Sequence, residues 1–321
     1  MNDYQSNSND IYEKTIESEI LYVVLVYYDF NKTGRRKKLL LEFLDRYGNT
    51  EGTRFVVVEA SDSEFDLPLK SYDIFIHHKF KIKHYFQLYQ NLINIAISKL
   101  PKDWQYVSWV DSDITFLNKN WVRDTIMELK KSHMVQLFQT AIFMGPDGEA
   151  LNIFKGVGYL YQQNSHDLAK ICRNCWPGYA WAMTKTVFHK MNGLFEIDII
   201  AGGDSIIAFS FAQNTDIFLS NFLFNSGEAM KEYIKQARIY QLKVKINKFV
   251  LSFINGTVLH NWHGPLSERK YIERYDVIKK HGFNPQIDLI RDKDGLISLS
   301  EIGERLHNDL KKIFCPKCFR Q

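Results

Sequence analysis

The chain has 321 residues, a hydrophobic share of 45% and a formal net charge of +4 on 41 basic and 37 acidic residues. That length can bury a large core, and so balanced a charge excludes a nucleic-acid-binding protein argued on charge alone. The start is polar and acidic with no secretory pattern, and no apolar run approaches the ~18 residues of a membrane span. A cytoplasmic protein with no membrane span is expected.

Residues 1–18 read as a disordered leader. The near-continuous apolar run Ile20–Tyr28 predicts a first buried parallel strand. A helix is predicted over Arg35–Tyr47, with Leu40, Phe43, Leu44 and Tyr47 on one face and Gly48 as its stop. Arg54–Glu59 and Asp73–His77 predict two more strands, and Tyr85–Leu100 a helix ended by Pro101. The basic runs Arg35–Lys38 and Lys79–Lys83 read as solvated faces. A strand at 106–110, a polar helix at Asn120–Lys131 and a strand at Met134–Phe138 follow. Further helices are predicted at Lys185–Met191, 228–248 and Ser267–Lys280. The order β-α-β-β-α-β implies an α/β fold with a mostly parallel sheet. No Gly-x-Gly-x-x-Gly or Walker-type loop follows the first strand, which argues against a dinucleotide cofactor.

The strand at 106–110 runs into Asp111-Ser112-Asp113. Ligands of open α/β sheets sit outside the carboxyl ends of strands, and two acids one residue apart there can share a divalent cation. A solvated acidic turn is the plainer alternative. Gly202-Gly203-Asp204 opens a predicted helix, where glycines admit close backbone approach and an acid is either functional or a cap. His260 and His263 flank Trp262 at the end of a predicted strand, so one imidazole can reach a metal. Every cysteine falls in a C-x-x-C pair, Cys172 with Cys175 and Cys315 with Cys318. Two pairs can close a four-thiolate zinc site tying the tail to residues 172–175, with a redox dithiol or local disulfides as alternatives. Asp292-Lys293-Asp294-Gly295 imitates a calcium loop, but Ile290 stands where its first carboxylate belongs, so a turn between short strands is expected.

The ordered set Asp111-Ser112-Asp113, Pro177-Gly178-Tyr179-Ala180-Trp181-Ala182, Gly202-Gly203-Asp204 and His260-Asn261-Trp262-His263-Gly264 resembles GT-A-type glycosyltransferases, in particular a family-2-like group of bacteria, phages and large DNA viruses. The resemblance covers roughly residues 20–300 and implies a single large Rossmann-like GT-A domain at 19–300, with 301–321 as a C-terminal tail. It implies a nucleotide-sugar transferase using Mn²⁺ or Mg²⁺, bound by Asp113 chiefly, Asp111 in part, and His263 or His260. Tyr27, Tyr28, Asp29 and Glu59 would hold the nucleotide, and Arg269 a phosphate. Asp204 would be the general base of an inverting transfer from a nucleotide-sugar donor, UDP-linked by default, to a glycan, protein or lipid-linked acceptor. Tyr179, Trp181, Gly202, Gly203 and Trp262 would line the sugar site. The predicted helix Tyr85–Ala96 lacks the basic residue that many such sequences carry there. Rival readings are nucleotidyl transfer, which also needs paired acids and a cation, and an inactive sugar-binding module.

Overall fold

The computed structural model describes residues 19–163, 175–223, 230–265, 269–270 and 273–316. The expected leader at 1–18, and Cys172 and Cys318, lie outside them. A seven-stranded sheet forms the centre, built from β1 (Leu21–Tyr27), β2 (Thr53–Ser61), β3 (Ile76–Lys81), β4 (Tyr106–Val110), β6 (Met134–Gln136), β10 (Ala180–Thr184) and β11 (Leu251–Phe253). Its order is β11-β6-β10-β4-β1-β2-β3, and β10 alone runs antiparallel to its neighbours. The expected mostly parallel α/β sheet flanked by helices is what the chain forms.

Burial on both faces explains the continuous apolar run of β1. Tyr22 and Val24 point into one core, and Leu21, Val23, Leu25 and Tyr27 into the other. Helix α1 (Arg35–Tyr47) covers the second core with Leu40, Phe43, Leu44 and Tyr47, and the Gly48 amide closes it on the Leu44 carbonyl at 2.7 Å. The first core takes α2 (Tyr89–Ser98) together with α5 (Lys185–Met191), α6 (Gly203–Phe211) and α8 (Lys231–Ile246). Between them, α3 (Trp121–Leu129), α4 (Val157–Gln163) and α7 (Thr215–Leu223) complete the helices of this part.

Two boundaries differ from expectation. The third strand spans Ile76–Lys81 rather than Asp73–His77, because β2 extends to Ser61 and pairs it with Lys81. It is an edge strand, where His and Lys are tolerated and discourage further pairing. Helix α2 begins at Tyr89, not Tyr85. The Gln87 amide donates to the Ile199 carbonyl at 3.0 Å, so the residues before the helix are tied to the 199–202 loop.

A second sheet stands beside the carboxyl end of β4, in the order β5-β12-β7-β8-β9. It joins β5 (Ile114–Phe116), β7 (Thr140–Met144), β8 (Ala150–Gly156), β9 (Cys175–Trp176) and β12 (Thr257–His260). β12 lies antiparallel to β5, with His260 opposite Ile114, so the segments around Asp113 and His260 are neighbours. Toward the C-terminus come α9 (Glu273–Lys280), α10 (Pro285–Asp288) and the hairpin β13 (Leu289–Arg291) and β14 (Ile297–Leu299). Its turn is the calcium-loop look-alike, and one Asp292 oxygen accepts from the Asp294 and Leu296 amides, both at 2.9 Å. In the expected tail, α11 (His307–Phe314) sits on the main body, where Leu306 and Leu310 are buried in the first core.

The expectation of four zinc-bound thiolates is corrected. Cys315 is buried and disulfide-bonded, and a sulfur so bonded offers no thiolate.

Candidate active site

The carboxyl end of β4 and the end of β12 are joined through the backbone. The Asn261 amide donates to the Asp113 carbonyl at 2.7 Å, and the Asp111 amide to the Tyr179 carbonyl at 2.7 Å. Asp113, His260 and His263 consequently converge. One Asp113 carboxylate oxygen lies 3.1 Å from His263 Nε2 and 3.6 Å from His260 Nε2. One ligand atom from each of the three falls within 4.8 Å of the others.

Several observations fit this group to a divalent cation. The second Asp113 oxygen is buried with no hydrogen-bond partner among the described residues. Burial works against the Asp113 carboxylate, yet His260 and His263 outweigh it and hold it well below the usual carboxylate range. Burial also lowers the His263 imidazole, favouring the neutral form that ligates metals. An Arg269 nitrogen lies 3.0 Å from the same His263 Nε2, which places a guanidinium at the edge of the group. One carboxylate and two imidazoles are a mixed O/N donor set suited to a Mn²⁺-like ion.

Asp111 stands slightly apart from the three. Burial first, then the charges of Asp113 and Asp204, hold its carboxyl well above the ordinary range, with the Tyr89 phenol acting in the opposite sense. Three acids crowded together in this way call for a cation.

Asp204 reaches the same region from the first turn of α6. The Gln90 side-chain amide donates to it at 2.8 Å. Burial is the main influence lifting its carboxyl to about 7; Gln90 opposes this and the Asp198 charge adds to it. A Cβ on Gly203 would come within 2.6 Å of the Gln90 amide, so a larger residue there would displace the side chain that holds Asp204. A Cβ on Gly202 would likewise lie 2.6 Å from the Tyr275 hydroxyl. Both glycines therefore serve backbone approach within the protein, beside whatever they offer a ligand.

The preceding loop is held by a residue the sequence did not single out. Asp198 is buried, and one of its oxygens accepts from the Ile200 and Gly202 amides, both at 2.9 Å. Its other oxygen accepts from the Tyr233 hydroxyl at 2.5 Å. These bonds stabilise a turn in which Ala201 sits at φ 72°, an uncommon conformation for a residue with a Cβ. Asp198→Ala is expected to cost on the order of 3 kcal/mol of folding stability, because it strands buried donors. Chemical denaturation measures it, and an unchanged midpoint would sink the assignment.

Several expected binding residues prove to be internal. Trp181 is buried, and its indole N–H donates to the Pro177 carbonyl at 2.7 Å, so it shows no face to a sugar. Tyr179 is buried with its ring stacked on His260 at 4.8 Å, so it backs the imidazole instead. Trp176 is an aromatic near Asp204 instead: a Cβ on Gly178 would sit 3.2 Å from its indole nitrogen and 3.5 Å from an Asp204 oxygen. That indole N–H is buried with no partner among the described residues.

Glu59 is corrected as a nucleotide ligand. One oxygen accepts from the Asp66 and Leu67 amides at 2.7 and 3.2 Å, and the other lies 2.9 Å from His77 Nε2. Tyr27 is buried in the second core and is corrected with it. Asp29 orders the turn into α1 by accepting from the Gly34 amide at 2.9 Å. The Tyr28 hydroxyl donates to Gln87, and the exposed Arg36 guanidinium stands 5.6 Å over the Tyr28 ring. Arg36 also exerts a charge on Asp111 and His263. The cation missing from the helix before β4 is thus available from the start of α1. Trp262 borders a cleft of about 760 Å³ whose lining includes Arg35, Lys38 and Asn261.

No family model matches the sequence, and no curated protein sequence does. By fold, the chain is similar to the catalytic domain of Drosophila beta1,4-galactosyltransferase 7 in complex with xylobiose, at 12% identity and TM-score 0.40, over 88% of this chain and 94% of that one. It is similar to Mycobacterium tuberculosis glucosyl-3-phosphoglycerate synthase in complex with Mn²⁺, UDP and phosphoglyceric acid, at 11% identity and TM-score 0.42, over 90% and 89%. A third similarity is to 4-diphosphocytidyl-2C-methyl-D-erythritol synthase from Anaerococcus prevotii, at 12% identity and TM-score 0.38, over 76% and 89%. Likeness at this level carries no argument for activity, so the function rests on the residues themselves.

Proposed function

We propose that the chain is a GT-A-type glycosyltransferase, dependent on a divalent cation. It would move a sugar from a nucleotide-sugar donor, UDP-linked by preference, to an acceptor hydroxyl with inversion. The observation that carries this reading is the convergence of Asp113, His260 and His263 beside a buried carboxylate oxygen left without a partner.

Mn²⁺ or Mg²⁺ bound there would neutralise charge on the departing nucleoside diphosphate. Asp113, His260 and His263 would hold it, with Asp111 sharing the charge. Arg36 and Arg269 are the cations offered to phosphate oxygens, for which a planar guanidinium is suited. Tyr28 and Asp29, at the end of the first strand, would border the nucleotide. The Trp176 indole N–H, at the edge of the second sheet near Asp204, is a donor available to the sugar. Asp204 would accept the proton of the attacking hydroxyl, with Gln90 fixing its orientation.

A base works only when ionised. With the Asp204 carboxyl near 7, it is protonated below that pH and competent above it. The rate of transfer should therefore rise with pH through about 7, and kcat/KM measured across that range tests this. A flat profile between pH 6 and pH 8, a window of about one unit either side of that value, would remove Asp204 from the role.

The reading as a whole is tested by incubating the chain with nucleotide sugars, with Mn²⁺ or with chelator, and identifying the nucleotide product. Release of nucleoside diphosphate only with the cation supports it. Release of pyrophosphate would mean nucleotidyl transfer, and no release from any donor would leave a binding module.

A further inference from the structure

Helix α8 buries Tyr233, Ala237, Tyr240 and Val244 against the core. Its opposite face has an unusual composition. Ile239, Leu242 and Ile246 are exposed there to 38%, 51% and 69%, and Val250, just past the helix, to 47%. The other exposed residues between 231 and 250 are Lys231, Lys235, Arg238, Lys245 and Lys248. Within 231–250 the exposed side chains are large aliphatics and cations, and the acids bordering them are Glu232 on the helix and the exposed Asp216 on α7.

The arrangement is ordered. Ile239 and Ile246 lie about 40–60° to one side of Leu242 around the helix and Arg238 and Lys245 about 40–60° to the other, with Lys231 and Lys235 about 20° either side of Leu242. Lys235 pairs with Glu232 at 3.2 Å and Arg238 with Asp216 at 2.9 Å, but both pairs are on the surface and readily exchanged for another anion. We propose that this face seats on a bilayer surface containing anionic lipid, with the helix lying in the plane of the interface.

The aliphatic row would enter the boundary between headgroups and acyl chains, while the lysines extend their ammonium groups to lipid phosphates. Charge decides among the possible occupants. A second copy would set five cations against five. Nucleic acid would satisfy the cations but has no use for aliphatics, since single-strand binders offer aromatic rings. A surface both negative and apolar just beneath suits every exposed residue. The inference does not depend on the reaction proposed above.

Co-sedimentation of the full chain with vesicles tests it, using phosphatidylcholine alone and phosphatidylcholine with one-third phosphatidylglycerol. The chain is expected to bind the second and not the first, and to be released by salt. Leu242→Ser with Ile246→Ser, and separately Lys245→Glu, should each reduce partitioning by about tenfold with the melting temperature unchanged. Failure to bind anionic vesicles, or equal binding by the serine variant, overturns the proposal. So does a dimer in analytical centrifugation that the serine substitutions dissolve, which would make a second copy the occupant. Should the serine variant melt early, wild type on the two vesicle types and Lys245→Glu still decide.

Discussion

Asp113→Ala is expected to abolish cation-dependent turnover, by a factor of about 10³ or more, because it removes the carboxylate on which both imidazoles converge. The substitution should not unfold the chain. It relieves the repulsion on Asp111 but also removes the anion that His260 and His263 hold, so the melting temperature without cation should fall by a few degrees while the fold persists. The cation's own stabilisation should vanish. Wild type gains roughly 2.7 kcal/mol when the ion is about 100-fold above its dissociation constant, and the variant should gain none. Thermal melts with and without Mn²⁺ check the second part, and product release the first. A variant that retains its Mn²⁺-induced shift would place the cation elsewhere.

Asp204→Asn should reduce transfer by roughly 10²–10⁴-fold while leaving donor affinity within a few-fold of wild type, the pattern of a lost general base. The amide keeps the size of the carboxylate, and its oxygen can still accept from Gln90, so α6 and its preceding loop should stay in place. Calorimetric titration with donor and Mn²⁺ separates binding from chemistry. Wild-type transfer would sink the assignment, and loss of donor binding would make Asp204 a donor ligand.

The parts of the site legible in the sequence are those carried by strand ends. β4 announces itself by an apolar run that Asp111 and Asp113 follow, while His260 ends β12 and His263 comes just after it. Choices between neighbours within a segment were not legible. Trp176 and Trp181 lie on opposite sides of Gly178 and in different strands, so it takes the pairing of β9 with β8 and of β10 with β4 to put Trp181 in the core and leave Trp176 near Asp204. Asp198 looked like any acid in a loop, because its partner Tyr233 is 35 residues away on another helix. Glu59 looked like a ligand at a strand end, and only the return of the chain at Asp66 and Leu67 shows that its oxygens are taken. Gln90 was hidden by the late start of α2, which the bond from Gln87 to Ile199 brings about. The lysine-rich character of α8 was plain, but the aliphatic row among the lysines appears only when the buried face is subtracted.

The bond between the Asn261 amide and the Asp113 carbonyl has a consequence for biosynthesis. The two portions of the cation set are separated by well over a hundred residues, so a ribosome completes the first long before the second emerges. Nascent chains stalled before β12 should be blind to Mn²⁺ even with the central sheet's first strands already paired, and sensitivity to the ion should switch on only once His263 has cleared the ribosomal exit tunnel. The ion would then reward the finished protein alone, and chelation during synthesis should lower the yield without altering the sheet.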